Sequence, residues 1–139
     1  MHHLLLRNDP AELERLHEWL EALSLSLGLA PEVTFAADLC LQDAVGNVIA
    51  YAFAKGAAHE IRVSAGRVDR QLIVEVRDDG RAFDPLGAPT PTLAERLEDV
   101  RIGGLGVHLI RRFASGTRFV REDGHNRLVL TIGPEGPGA

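Results

Sequence analysis

Apolar residues recur along the first part of the chain at regular spacing. The run 3-HLLLRN-8 predicts a short first strand. A helix is then predicted to begin at Pro10, because Asp9 can cap free amide groups and proline at the first helical position lacks only an N–H that would be unpaired. This helix ends near Gly28 and is amphipathic, with apolar residues at helical spacing: Leu13, Leu16, Leu20, Leu23 and Leu27.

A second, mostly apolar helix is predicted from Pro31 to about Ala54, with Gly56 as its stop. It carries Asp43 and Asn47, which are four residues apart and therefore share a face. Two interpretations are open. The face is either solvated, which is the commoner case, or it supplies oxygen atoms to a magnesium ion held mainly by phosphates.

In the middle of the chain, apolar and polar residues alternate well enough to predict strands. The segments 60-EIRVSAGRV-68 and 70-RQLIVEVRD-78 predict paired strands joined by a tight turn around Asp69. From Asp79 to about Thr92, closely spaced glycines and prolines predict a long loop. A loop of this length in a compact domain is usually a lid or binding loop, or is disordered.

The last third of the chain mixes helix, glycine and strand signals. A short helix is predicted over 92-TLAERLEDV-100, followed by a glycine cluster that runs directly into a helix over 103-GGLGVHLIRRFAS-115. Two final strands, 117-TRFVRE-122 and 127-RLVLTIG-133, flank a turn at 123-DGHN-126.

The predicted order of elements is β, α, α, β, β, loop, α, β, β. Strands in hairpins with helices set apart from them favour an α+β two-layer sandwich over a doubly wound parallel sheet, with helices covering one face. Residues 1–133 are expected to form a single domain, since 139 residues suffice for one sizeable core, and 134–139 a flexible tail.

Composition is that of an ordinary globular protein, with 45% hydrophobic and 25% charged residues. The net charge of −5 and the absence of a Lys/Arg cluster in the sequence argue against direct nucleic-acid binding. No membrane span or signal peptide is expected. The single cysteine, Cys40, has apolar neighbours and suits a buried thiol, so we expect a cytoplasmic protein.

The cluster Gly103, Gly104 and Gly106 lies just before a predicted helix, where backbone N–H groups and the helix dipole favour an anion. A phosphate cradle and a simple tight junction are equally compatible with this pattern. A dinucleotide fingerprint or P-loop is not supported, since a third glycine and a GK[ST] sequence are both missing.

Asp78 and Gly80 mark the exit of a predicted strand. The Asp78 carboxylate could face inward and accept a hydrogen bond from an exocyclic amino group, while Gly80 lets the backbone turn sharply. The simpler interpretation is an Asp-Gly turn, which is a common chain reversal.

Together, 43-DAVGN-47, 78-DDGRAFDP-85 and 103-GGLGVHL-109 resemble the three nucleotide-binding boxes of the GHKL, or Bergerat-fold, ATPases. The resemblance is greatest to the anti-sigma-factor serine kinases of bacterial partner-switching systems. Each box is weak alone, but their order and spacing are specific. The closing segment 122-EDGHNRLVLTI-132 extends the resemblance over nearly the whole chain.

This resemblance implies a two-layer sandwich with a mixed, mostly antiparallel sheet, and it implies a site for ATP and Mg²⁺. Asn47 would ligate the metal, Asp78 would recognise the adenine amino group, and Gly80 would let the base approach. The glycines at 103, 104 and 106 would line a mobile lid and the triphosphate. Asp43 would be the general base, although the family usually has Glu there, and Asp is about 1 Å shorter in reach.

The function implied is phosphorylation of a serine on a STAS-domain antagonist, together with sequestration of a sigma factor by a protein that commonly forms homodimers. Two alternatives stay open. One is an ATP-binding partner-switch module that acts only by protein binding, and the other is a stand-alone sensor histidine kinase ATPase domain.

Overall fold

The computed structural model describes residues 1–52, 59–81, 110 and 113–133. Five strands form a sheet in the order β1-β2-β3-β5-β4, and every pairing is antiparallel. This confirms the predicted α+β sandwich. The strands are β1 His2–Arg7, β2 Glu60–Val68, β3 Gln71–Asp78, β4 Gly116–Glu122 and β5 His125–Ile132, and the helices are α1 Glu12–Leu27 and α2 Pro31–Asn47.

The core lies between the two helices and one face of the sheet. Strands β3 and β5 alternate strictly between buried and half-buried positions, as expected for a sheet covered on one side. Each large side chain that is fully removed from water contributes roughly 1.5–3 kcal/mol. The fully buried members come from both layers: Leu16, Leu20, Leu41, Val45, Leu72, Val74, Leu130 and Ile132.

Helix α1 begins at Glu12, two residues later than predicted. Asp9 does not cap it; its Oδ1 accepts a hydrogen bond from the Ala11 amide (2.9 Å), within a turn that precedes the helix. The predicted end is confirmed, because Gly28 adopts a left-handed conformation (φ 65°) and its amide bonds the Ser24 carbonyl.

Helix α2 continues beyond Asn47 as a π-helical segment, Val48–Ala52. The stretch Pro31–Ala52 is long enough and, with a mean hydropathy of 1.2, apolar enough to cross a membrane. No membrane span was predicted from the sequence. However, this stretch contacts α1, β3 and β5, so its apolar character is that of a core helix. The predicted end near Ala54 lies outside the described residues.

Two tight turns set the register of the sheet. Asp69 (φ 55°) closes the β2–β3 hairpin as predicted. Asp123 (φ 51°) and Gly124 (φ 76°) close β4–β5 in only two residues, as a primed turn requires. The predicted turn over 123–126 was therefore too long, and β5 starts at His125, which places Asn126 in the sheet.

Three further predictions fall outside the described residues: the short helix over 92–100, the glycine segment with Gly103, Gly104 and Gly106, and the tail 134–139.

Candidate functional site

The end of β3 carries a buried carboxylate. Asp78 is 4% exposed, and its Oδ1 accepts hydrogen bonds from the Gly80 amide (2.8 Å) and from Nδ2 of Asn126 (3.0 Å). Burial raises the pKa of Asp78 above its ordinary value, and the two hydrogen bonds oppose this shift without cancelling it. No described residue donates to Oδ2, so that oxygen can accept a hydrogen bond from a ligand.

Asn126 was not predicted as a site residue. It lies directly opposite Asp78 in the β3–β5 register and is 3% exposed. Its Nδ2 also donates to the Arg81 carbonyl (2.8 Å), and its Oδ1 accepts from Arg121 (3.1 Å), which in turn donates to the Gly80 carbonyl (2.6 Å). These bonds hold the Asp78 carboxylate in one orientation. Recognising the two-residue turn at 123–124 would have placed Asn126 within β5. Its position opposite Asp78 depends on the pairing of β3 with β5, which the local sequence pattern does not specify.

Gly80 packs against the end of the π-helical segment. A Cβ at this position would overlap the Ala52 carbonyl oxygen and lie 2.8 Å from the Ala52 Cβ. The same carbonyl accepts a hydrogen bond from the Arg81 amide (2.8 Å). Gly80 is therefore required for contact between β3 and the helix layer. This packing requirement for glycine holds whether or not a nucleobase also approaches Gly80, as the resemblance implied.

The polar face of α2 is not a solvated surface at Asn47, which is 2% exposed. Three buried side-chain atoms among the described residues have no hydrogen-bond partner: Nδ2 of Asn47, Oδ2 of Asp43 and, nearer the start of the same helix, Oδ1 of Asp38. Such groups are costly in a folded protein unless something satisfies them. If the Asn47 amide is turned by 180°, Oδ1 takes the place of the unpaired Nδ2. Asn47 can therefore also present an oxygen ligand to a cation.

Burial also raises the pKa values of two side chains on α2. It raises the pKa of Asp43 to about 6, which is close to the optimum for a general base near neutral pH. Cys40 lies one turn earlier and is fully buried, as predicted. Burial, with a smaller contribution from Asp43, raises the pKa of its thiol to about 12, so the thiol stays protonated.

A crevice joins α2 to the end of β3. Its walls are apolar, and Asp78 and Asn126 supply its polar groups; the lining residues are Ala44, Val48, Val76, Asp78, Phe119, Asn126 and Leu128. Its volume of about 10 Å³ leaves room for roughly one water molecule, so a nucleobase requires the walls to separate. An apolar slot ending in a buried hydrogen-bond acceptor fits a flat base that carries an amino group.

Asp43 and Asn47 immediately precede Ala44 and Val48, which line the crevice. The stretch of α2 that carries the two polar groups therefore borders the crevice. In the described part of the chain, no three His, Cys, Asp or Glu side chains cluster as metal ligands. A magnesium ion here would thus depend on Asn47 and on phosphate oxygens, which is a usual arrangement for this metal.

The site combines a buried acceptor on β3 with an unsatisfied acid–amide pair on α2. Residues 6–132 match the family model of the histidine kinase-like ATPase domain. The chain belongs to this family, of the GHKL type, as the three sequence boxes indicated.

Among curated proteins, the chain is 34% identical over 113 residues to the serine/threonine-protein kinase BtrW of Bordetella bronchiseptica, covering 81% of this chain and 80% of BtrW. Among solved structures, it is similar to the blue-light activated histidine kinase EL346 of Erythrobacter litoralis (TM-score 0.54, 19% identity, 75% of this chain and 31% of that one). The histidine kinase domain of the same protein matches with a TM-score of 0.50 and 18% identity over 88% of this chain and 59% of that one. Because this chain spans less than two thirds of either, these likenesses concern the fold.

Proposed function

We propose that this protein binds Mg-ATP and is a serine/threonine-protein kinase of the anti-sigma type. The observation that carries the proposal is the buried, unpartnered acid–amide pair of Asp43 and Asn47 beside the crevice that ends at Asp78. The family match supports nucleotide binding, and similarity to BtrW, a serine/threonine-protein kinase, supports the choice of acceptor.

Each residue then has one task. Oδ2 of Asp78 accepts a hydrogen bond from the adenine amino group, and Asn47 contributes an oxygen to Mg²⁺. When bound, Mg-ATP supplies the phosphoryl group and the positive charge that stabilises its transfer. Asp43 orients the attacking serine hydroxyl and takes its proton. With a pKa of about 6, most Asp43 side chains are ionised at neutral pH and able to do so.

The resemblance to partner-switching kinases supports the rest of the proposal. The acceptor serine would be on a STAS-domain antagonist, and the kinase would sequester a sigma factor until the unphosphorylated antagonist displaces it. We further propose a cytoplasmic homodimer in which the glycines at 103, 104 and 106 line the triphosphate.

The shorter reach of Asp43 favours a second candidate, a module that binds ATP but acts only by sequestering its partners. A carboxylate about 1 Å from its productive position can cost roughly 100-fold in rate. The two candidates share the nucleotide site and differ in whether a phosphoserine is formed.

The deciding experiment mixes the full chain with ATP labelled on its terminal phosphate and with a purified STAS-domain protein as the candidate antagonist. We expect acid-stable label on the antagonist, with ATP binding measured separately by calorimetry. Asp43→Asn is the control, and it should abolish transfer while ATP still binds. ATP binding without any phosphoserine would favour the non-catalytic module, and acid-labile label would favour a histidine kinase.

A further inference from the structure

The open face of the sheet, opposite the helices, carries a row of arginines. The strand register places one residue of each strand in a single line: Leu5, Arg62, Arg77, Arg127 and Val120. Because neighbouring strands are about 4.8 Å apart, the three arginines stand on adjacent strands within about 10 Å. The sequence shows no such cluster, since these positions are up to 65 residues apart and only the sheet brings them together.

This row is unfavourable for folding, because like charges directly opposite one another on a sheet are destabilising. Only Arg127 has an acidic partner, as its Nε donates to Glu75 (2.9 Å). No described acidic side chain lies within ion-pair distance of Arg62 or Arg77. Neither residue contributes to the core, so packing does not explain why these two charges face each other in a chain of net charge −5.

A groove of about 490 Å³ accompanies the row at the end nearest Asp78. Its lining combines basic and acidic side chains: Arg62, Arg77, His59, His125, Glu60, Asp78 and Asp79. Asp79 is hydrogen-bonded to His59 (3.1 Å), and Asp78 is buried. A groove of this size accommodates side chains of a partner, and its lining is mainly polar, so it suits charged groups better than apolar ones.

We propose that the arginine row, Arg62, Arg77 and Arg127, docks an acidic segment of a partner protein. The argument is charge complementarity at matched spacing. Acidic residues on successive turns of a helix have Cβ atoms about 5–6 Å apart, close to the separation of neighbouring strands. Glutamates at i and i+4 can therefore meet Arg62 and Arg77, and a third at i+7 can share Arg127 with Glu75. Arginine binds carboxylates with two parallel hydrogen bonds.

Other anionic partners fit this surface less well. Nucleic acid binding normally involves about 6–10 phosphate contacts, and an anionic membrane about 4–8 basic residues. The row offers three basic residues, fewer than either of these partners uses. A second copy of the chain packed row to row would bring like charges together.

The surface is separate from Asp43 and Asn47 on α2, and the proposal does not depend on kinase activity.

The test uses a fluorescein-labelled helical peptide with glutamates at i, i+4 and i+7, and its twin with glutamine at those positions. Anisotropy is measured with the full chain at low ionic strength. We expect the acidic peptide to bind and its twin not to, with affinity falling as salt is added. Arg62→Gln combined with Arg77→Gln should weaken binding about tenfold. Arg15→Gln, which removes one charge from exposed α1, should change it less than about twofold.

The double variant should melt at the same temperature as the parent or higher, since it relieves repulsion. A charge-preserving variant, Arg62→Lys with Arg77→Lys, should retain most of the affinity. Equal binding of the peptide by the glutamine variant would overturn the proposal. So would row-dependent binding of duplex DNA or of phosphatidylserine vesicles that is tighter than that of the peptide, or a change of oligomeric state in the double variant, which would identify a second copy as the occupant.

Discussion

Asn126 on β5 holds Asp78 on β3 through a hydrogen bond of 3.0 Å between two side chains that are 48 positions apart in the chain. This bond and the one from the Gly80 amide both fall on Oδ1 of Asp78. The remaining oxygen is thus presented in a fixed direction. A buried acceptor that is already oriented pays less conformational entropy when a ligand binds.

Replacing Asn126 with alanine should weaken ATP binding by about tenfold, the effect of losing one hydrogen bond to a charged group. Because Asn126 lowers the pKa of Asp78, its loss should also raise the pH at which ATP affinity changes. Isothermal titration calorimetry with ATP at several pH values measures both effects. Thr117→Ala, on the exposed part of β4, is the control. If the affinity of the Asn126 variant equals that of the control, Asn126 does not position Asp78.

Gly80→Ala should destabilise the fold by about 1–3 kcal/mol, the usual cost of forcing an extra methyl group into a packed contact. The new Cβ meets backbone atoms of Ala52, which cannot yield without moving the π-helical segment. Gly66→Ala is a matched control, because there the added Cβ meets only the flexible Met1 side chain. Urea unfolding gives both free energies, and similar values for the two variants would argue against a tight β3–helix junction.

The sequence was sufficient to predict the elements that depend on local pattern. Helical leucine spacing predicted α1, approximate alternation of apolar and polar residues predicted β2 and β3, and the glycine at 28 predicted a helix end. The boxes also identified Asp43, Asn47, Asp78 and Gly80 as candidates. In the structure, Asp78 lines the crevice and accepts from the Gly80 amide, whereas Asp43 and Asn47 adjoin lining residues of α2 in sequence.

Features that depend on long-range pairing were not predicted. Asn126 is one polar residue in a hairpin, and its importance arises only because β5 pairs with β3 in the register that sets it opposite Asp78. Burial of Asn47 likewise depends on packing of α2 against the sheet. Helical spacing alone cannot show whether the face that carries Asn47 is buried or exposed to solvent. The arginine row is a third case, since its members come from three separate strands.

Asp43→Asn should stabilise the fold at pH 7. Burial raises the pKa of Asp43 from 3.8 to about 6, so the folded protein binds a proton more readily than the unfolded chain does. Stability therefore falls as pH rises from about 4 to 6, and the ionised form is disfavoured above that range. The full shift corresponds to about 3 kcal/mol, and partial exposure reduces the expected gain to about 1–2 kcal/mol.

Unfolding by urea at pH 7 and at pH 4.5 measures this effect. The stability difference between parent and variant should be largest at pH 7 and shrink at pH 4.5, where Asp43 is protonated in the folded parent. Glu32→Gln, at an exposed position of the same helix, is the control. A difference that does not depend on pH would mean that the Asp43 carboxylate is not destabilised by burial.

Asp43→Glu should increase phosphorylation of the antagonist. The longer side chain moves the carboxylate about 1 Å towards the proposed position of the serine hydroxyl, and a misplacement of that size can cost about 100-fold in rate. ATP affinity should stay unchanged, because Asp43 is proposed to act on the acceptor and not on the nucleotide. Single-turnover transfer of labelled phosphate at saturating ATP measures the rate. Asp43→Gln, with the length of Glu but no charge, should be inactive; if it transfers phosphate as fast as Asp43→Glu, the carboxylate is not the base.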